Sequence, residues 1–147
     1  MRALVAVDIF EPGHEALIQH AAEWAGKLGA TLDVGYVDGM SYVRPAILDK
    51  QLRDILDSEM ERLKEAREKQ LEDLVQKIPE GVRGVGRYRY DYPAVEAFLE
   101  MSEGYDLVLV GTHGRQGLVR FVLGSFAEKI VRQCKVPTLV MRTHLPE

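Results

Sequence analysis

The chain has 147 residues, a formal net charge of −4 at pH 7 and 46% hydrophobic residues. This length fits one domain with one core, and the weak negative charge argues against a nucleic-acid-binding surface. No apolar run approaches the roughly 20 residues of a membrane span, the N-terminus lacks the pattern of a signal peptide, and the single cysteine, Cys134, excludes an internal disulfide. We therefore expect a cytoplasmic single-domain protein, spanning 1–147, that binds neither nucleic acid nor membrane.

The first predicted strand, residues 3–7, is apolar on both faces and ends at Asp8. Ligands bind outside the carboxyl ends of strands in open α/β sheets, so Asp8 is a candidate site residue. The alternative is a loop carboxylate that caps the following helix. Pro12 suits the start of that helix and Gly29 its end. Its apolar stripe predicts that Trp24 lies in the core or at the core edge.

The middle of the chain predicts a strand, a long helix and an edge strand. Residues 31–37 form the second strand, and residues 47–78 keep a helical period with dense charge of both signs, typical of a solvated helix that covers a sheet. Because such a helix is long for a small domain, we expect a break or kink near residues 46–52. Residues 82–90 alternate apolar and basic side chains, which predicts a sheet edge with solvated arginines or a local basic patch.

The stretch from residue 106 to residue 142 reads as strand, glycine-rich loop, helix and strand. Leu107–Val110 has the length and branching of a buried parallel strand. Pro137 ends the helix, and residues 138–141 form the last strand. Glycines and one serine mark the loop between the first strand and the helix: Gly111, Gly114, Gly117, Gly124 and Ser125.

Such a loop can bind an anion. Glycines let the backbone adopt positive φ and approach a ligand closely, and successive N–H groups can form a nest for phosphate oxygens. Ser125 stands at the predicted helix start, where its hydroxyl can cap the helix or donate to a phosphate, and Arg115 can neutralise phosphate charge. The alternative is a tight turn with an ordinary serine cap, but the complete spacing favours phosphate binding.

The sequence contains no set of residues that predicts catalysis or metal binding. No nucleophile, base and orienting group can be identified together, and the four histidines lack metal-ligand spacing. Neither Gly-x4-Gly-Lys-[Ser/Thr] nor Gly-x-Gly-x-x-Gly is present, which argues against a P-loop NTPase and a dinucleotide enzyme.

Several segments together resemble the signature of the universal stress proteins: GTHGRQGL and VLGSFAEKIVRQCKVPTLVMR, preceded by ALVAVD, YVD and DYPAVEAF. The resemblance implies an α/β fold: a single-domain, doubly wound, five-stranded parallel sheet of order 3-2-1-4-5, Rossmann-like, of the adenine nucleotide alpha hydrolase-like type. In that order the chain leaves strands 1 and 4 toward opposite sides, so Asp8 and Gly111 would flank one crevice at a topological switch point.

The resemblance also implies ATP binding, because Gly111, Gly114, Gly124 and Ser125 match the family's glycine motif position by position. In the family, the carboxylate at Asp8 lies beside the adenine and ribose, and the backbone near Val37 meets the base. The predicted nucleotide contacts are Asp8, Ile9, Val37, Gly111, Thr112, Gly114, Arg115, Gly124, Ser125 and Phe126. Ile9 and Phe10 stand where a small polar pair often follows the aspartate in the family.

We therefore expect an ATP-binding regulatory protein of the stress response, with Mg²⁺ or Mn²⁺ accompanying the nucleotide. It would act on an unknown protein partner as a homodimer joined through the C-terminal strand, residues 136–142, a type of dimer that the resemblance implies. Two alternatives use the same pocket. One is a slow ATPase or phosphotransferase, and the other is a dimerisation module that binds AMP or no nucleotide.

Overall fold

The chain folds into a parallel sheet with helices on both faces. A computed structural model describes residues 1–39, 49–112 and 124–142. The strands are β1 (Arg2–Ala6), β2 (Thr31–Asp38), β3 (Arg83–Tyr90), β4 (Leu107–Gly111) and β5 (Thr138–Met141). The helices are α1 (His14–Leu28), α2 (Lys50–Gln76), α3 (Ala94–Met101) and α4 (Ser125–Gln133). The strand order is β3-β2-β1-β4-β5 with parallel pairing throughout, which confirms the predicted fold class.

The sheet separates two layers of apolar packing. Ala3 and Val5 of β1 pack on the side of α1 and α2, whereas Leu4 of β1 and Val110 of β4 pack on the side of α3 and α4. This division follows from the period of two along a strand. Because helices cover both faces of β1, the strand reads as a continuous apolar run rather than an alternating one.

The helix α2 is continuous over 27 residues from Lys50 to Gln76. The Asp49 carboxylate caps its start by accepting a hydrogen bond from the Leu52 N–H at 2.8 Å. The expected break is therefore wrong for residues 50–52, and residues 46–48 lie outside the described residues. The buried side chains of the helix, including Leu71, lie in its C-terminal third, while Ile55 near its start is 55% exposed.

The arginines of β3 hydrogen-bond to neighbouring helix ends. Arg83 donates from Nε to the Ile78 carbonyl at 2.9 Å, just beyond α2, and Arg87 donates to the carbonyl of Met101, the last residue of α3, at 2.9 Å. Arg89 pairs with Glu100 at 2.7 Å. The edge position of β3 is confirmed, but its basic side chains serve helix C-termini and do not form a separate basic patch.

The helix α1 begins one residue after Gly13, whose φ of 93° only glycine adopts readily. Pro12 precedes this cap. The prediction for Trp24 is wrong, because its side chain is 43% exposed and lies outside the core, with Lys27 Nζ 4.9 Å from its ring centroid. No helix within the described ranges is both long enough and apolar enough to cross a membrane.

Candidate functional site

The carboxyl ends of β1 and β4 form the switch point of the sheet. Ala6 of β1 is the register partner of Val110 in β4 and of Gly35 in β2. The chain then turns to α1 on one face of the sheet and to α4 on the other. Asp8 and Thr112, each two residues beyond the Ala6–Val110 pair, therefore lie at the same edge of the sheet, where such folds bind ligands.

The exposed Asp8 carboxylate organises the turn after β1. Its Oδ1 accepts the Phe10 N–H at 2.9 Å, and its carbonyl accepts the Glu11 N–H at 3.1 Å. These bonds form an Asx-type turn. The cap of α1 is Gly13, so Asp8 does not cap that helix. Ile9, the next predicted site residue, is half-buried and packs against the core layer of α1 and α2.

The end of β2 contributes a half-buried valine and a buried carboxylate. Val37 packs on the side of α3 and α4, while Asp38 is 5% exposed and lies 3.5 Å from the Tyr88 hydroxyl, which donates to it. Burial, with the Asp38 charge second, raises the pKa of Tyr88 to about 12. Sequence reasoning missed Asp38, although an aspartate ends β2 as Asp8 follows β1.

Three aromatic side chains, Phe10, Tyr36 and Tyr88, line the carboxyl end of the sheet on the side of α1 and α2. The Phe10 and Tyr36 rings meet edge to face at 6.4 Å, and the Tyr36 and Tyr88 rings lie 5.8 Å apart. The Arg67 guanidinium of α2 stands 4.3 Å from the Phe10 ring centroid. Burial first, then the charges of Asp38 and Asp8, raise the pKa of Tyr36. Sequence spacing contained no signal for Arg67, which lies in a different element from the other members.

The strand β4 ends in two predicted site residues. Gly111 is half-buried and is the register partner of Met141, and the Thr112 N–H donates to the Met141 carbonyl at 2.9 Å. Pairing with β5 thus extends to the start of the glycine-rich loop. Gly114 and Arg115, the next two predicted contacts, lie outside the described residues.

The start of α4 differs from the prediction in one respect. Gly124 is the N-cap, with an extended φ of −58° and ψ of 154°, and its carbonyl accepts the Glu128 N–H at 2.9 Å. Ser125 is the first helical residue, so the prediction that it can cap the helix is wrong. Its side chain is exposed at the helix N-terminus. Phe126 packs its ring 5.7 Å from Phe98, which gives it a core role.

The start of α4 and the Asp8 turn present complementary chemistry at the carboxyl end of the sheet. The first backbone N–H groups of α4 have no partners within the helix and lie at its positive end, an arrangement that favours an anion. Across the switch point, the Asp8 carboxylate can accept hydrogen bonds from hydroxyl or amino groups. Among the described residues, no cluster of three or more His, Cys, Asp or Glu side chains could hold a metal ion.

Comparisons with known proteins agree with the fold. The model of the universal stress protein family matches residues 1–142. The universal stress protein YxiE of Bacillus subtilis is 26% identical over 152 residues, which cover 96% of this chain and 98% of that protein. The solved structure of the hypothetical protein MJ0577 has a TM-score of 0.73 at 19% identity, with 99% and 97% of the two chains covered. The universal stress protein from Archaeoglobus fulgidus, solved in complex with dAMP, has a TM-score of 0.60 at 16% identity, with 95% and 96% covered.

Proposed function

This chain belongs to the universal stress protein family, and we propose that it is an ATP-binding regulatory protein of that family. The observation that carries the proposal is the meeting of the Asp8 turn and the end of β4 at the switch point, with the Gly124–Ser125 helix start following β4 in the chain. The dAMP complex of the Archaeoglobus fulgidus protein supports an adenine nucleotide as the ligand class.

The described residues fit a nucleotide at this edge. Gly124 has no side chain to separate a phosphate from the α4 N-terminus, and the exposed Ser125 hydroxyl can donate to a phosphate oxygen. Asp8 would accept a hydrogen bond from the nucleoside end, and the backbone near Val37 would meet the base. Thr112 and the glycine loop with Gly114 and Arg115 would complete the phosphate side, and Mg²⁺ or Mn²⁺ would be held chiefly by the phosphates.

The nucleoside assignment is tested with Asp8→Ala. This change should weaken ATP and adenosine by similar factors, on the order of tenfold, because both ligands lose one hydrogen bond to a charged group. Asp106→Ala is the matched control, since Asp106 is another exposed carboxylate that accepts a backbone N–H but precedes β4 at the amino edge. If calorimetry shows that the wild-type protein binds neither ATP nor adenosine at millimolar concentration, the proposal is refuted.

The same chain would form a homodimer through β5. This strand is a sheet edge, and Val140 within it is 38% exposed. The carbonyls of Pro137 and Met141 accept bonds from β4, so the alternate residue Val140 directs its N–H and C=O away from β4. Two such edges can pair antiparallel about a two-fold axis, which yields a closed dimer.

Val140→Pro tests the dimer because proline removes an outward donor while the bonds to β4 remain. Light scattering should show a dimer for the wild type, a monomer or mixture for Val140→Pro, and a dimer for Val140→Thr, which keeps both the β-branch and the N–H. A wild-type protein that is monomeric at tens of micromolar would contradict this assembly.

A further inference from the structure

Arg67 has a buried donor for which the described structure offers no acceptor. Its Nε is buried without a hydrogen-bond partner, while Nη1 donates to the Gln70 side chain at 2.8 Å. Buried unpaired donors are rare in folded proteins. The same guanidinium contacts the Phe10 ring, whose centroid lies 4.3 Å from the guanidinium carbon, within the range of a cation–π interaction.

Phe10 belongs to the turn that carries Asp8. Its backbone N–H donates to Asp8 Oδ1 at 2.9 Å. Its ring is 60% exposed, so core packing constrains it little. The ring contacts that fix its orientation are the stack with Arg67 and the edge contact with Tyr36. A side chain of α2 thus contacts the turn at the end of β1, more than 50 residues away in the sequence.

We propose that Arg67 is a positioning residue for the nucleotide site, whose stack on Phe10 holds the Asp8–Phe10 turn and so orients the Asp8 carboxylate toward the nucleoside. This inference rests on the proposed function. Arg67 acts through Phe10 and does not itself contact the ligand.

The stack, rather than an ion pair, is what links Arg67 to the turn. Arg67 forms no salt bridge with any residue that the structure describes. A planar guanidinium can lie against an aromatic face with its Nε covered, whereas a lysine ammonium is compact and strongly hydrated. Lysine at position 67 should therefore keep the charge but lose the positioning.

The first test needs no ligand. Amide exchange measured by NMR should show that Arg67→Ala accelerates exchange of the Phe10 N–H by about three- to tenfold, the range expected for loss of a cation–π contact. Arg62→Ala is the matched control, because Arg62 lies on the exposed face of α2 and pairs with Glu59. Both variants place alanine, the best helix former, in the helix. Unchanged Phe10 exchange in folded Arg67→Ala would overturn the proposal.

The second test is a double-mutant cycle on adenosine affinity. Arg67→Ala and Arg67→Lys should each weaken adenosine about three- to tenfold when Asp8 is present, and less than about twofold in the Asp8→Ala background. Equal losses in both backgrounds would mean that Arg67 does not act through Asp8, and full affinity in Arg67→Lys would mean that the stack is not what matters. A wild-type protein that binds no adenosine or ATP would refute both the proposed function and the positioning role of Arg67. Unchanged Phe10 exchange in Arg67→Ala would refute the positioning role alone.

Discussion

Asp33→Ala should destabilise the fold by roughly 3–5 kcal/mol without changing nucleotide affinity. Asp33 is 4% exposed and lies near the amino end of β2. Its carboxylate accepts bonds from the Tyr105 hydroxyl at 2.5 Å, the Val85 N–H at 2.9 Å and Arg2 Nη2 at 3.1 Å. Val85 needs this acceptor because the β2–β3 register shifts beside Asp33.

The magnitude follows from two donors, the buried Tyr105 hydroxyl and the partly buried Val85 N–H. A hydrogen bond to a charged group contributes about 1.5–3 kcal/mol, and alanine would leave both the Tyr105 hydroxyl and the Val85 N–H without this acceptor. The Arg2 side chain is 59% exposed, so its ion pair adds little. The expected loss is a large fraction of the roughly 5–15 kcal/mol that stabilises a typical domain.

Urea denaturation measures this loss as a change in the free energy of unfolding. Asp106→Ala is the control, since the exposed Asp106 carboxylate accepts the Arg2 backbone N–H at 2.7 Å, and it should cost about 1 kcal/mol or less. Tyr105→Phe should lose an intermediate amount. A loss below about 1 kcal/mol for Asp33→Ala would refute the reasoning. Altered adenosine affinity in the folded variant would contradict the idea that Asp33, near the amino end of β2, lies apart from the nucleotide site at the carboxyl ends of the strands.

Two further predictions concern the sheet and its pH dependence. Gly35→Ala should lower stability by about 1–3 kcal/mol in urea, because a Cβ there would lie 3.0 Å from Met101 Sδ and 3.1 Å from Leu4 Cδ1; unchanged stability would show that α3 yields freely. The pKa of Tyr88 is raised from its ordinary value of 10 to about 12 in the folded protein. Between these pH values the folded state keeps the Tyr88 proton, whereas the unfolded state loses it. Stability should therefore fall between pH 10 and 12, and Tyr88→Phe should reduce that fall by roughly 1–2 kcal/mol after allowance for solvent screening; an identical fall in both proteins would contradict the assignment.

The fold was largely predictable because the strands are punctuated clearly. Gly29 ends α1 directly before β2, and Pro137 precedes β5. The strand order came from the family resemblance, since an apolar run shows that a strand is buried but not which strand lies beside it. The extent of α2, Lys50–Gln76, is close to the predicted 47–78, whereas the expected break was wrong for residues 50–52, because the Asp49 carboxylate caps a helix that then continues without interruption.

Candidate residues could be named from the sequence where the signal lies within one segment. Asp8 is a candidate because it follows a strand, and Gly124 because of loop spacing. Asp38 and Arg67 were missed for different reasons. Asp38 lies beside Tyr88 because β2 pairs with β3. Arg67 contacts Phe10 because α2 packs over β3 and β2. Both contacts are long-range and have no local pattern.

The two residues after Asp8 make structural contacts in this chain. Ile9 packs against the core layer of α1 and α2, and Phe10 contacts Arg67 and Tyr36. A small polar pair could make neither contact, but its side chains could donate to a ligand. In this chain the two residues therefore contribute contacts that fix the turn itself. Under the proposed function, Asp8 and the contacts that orient it should therefore account for most of the nucleoside affinity that this turn provides.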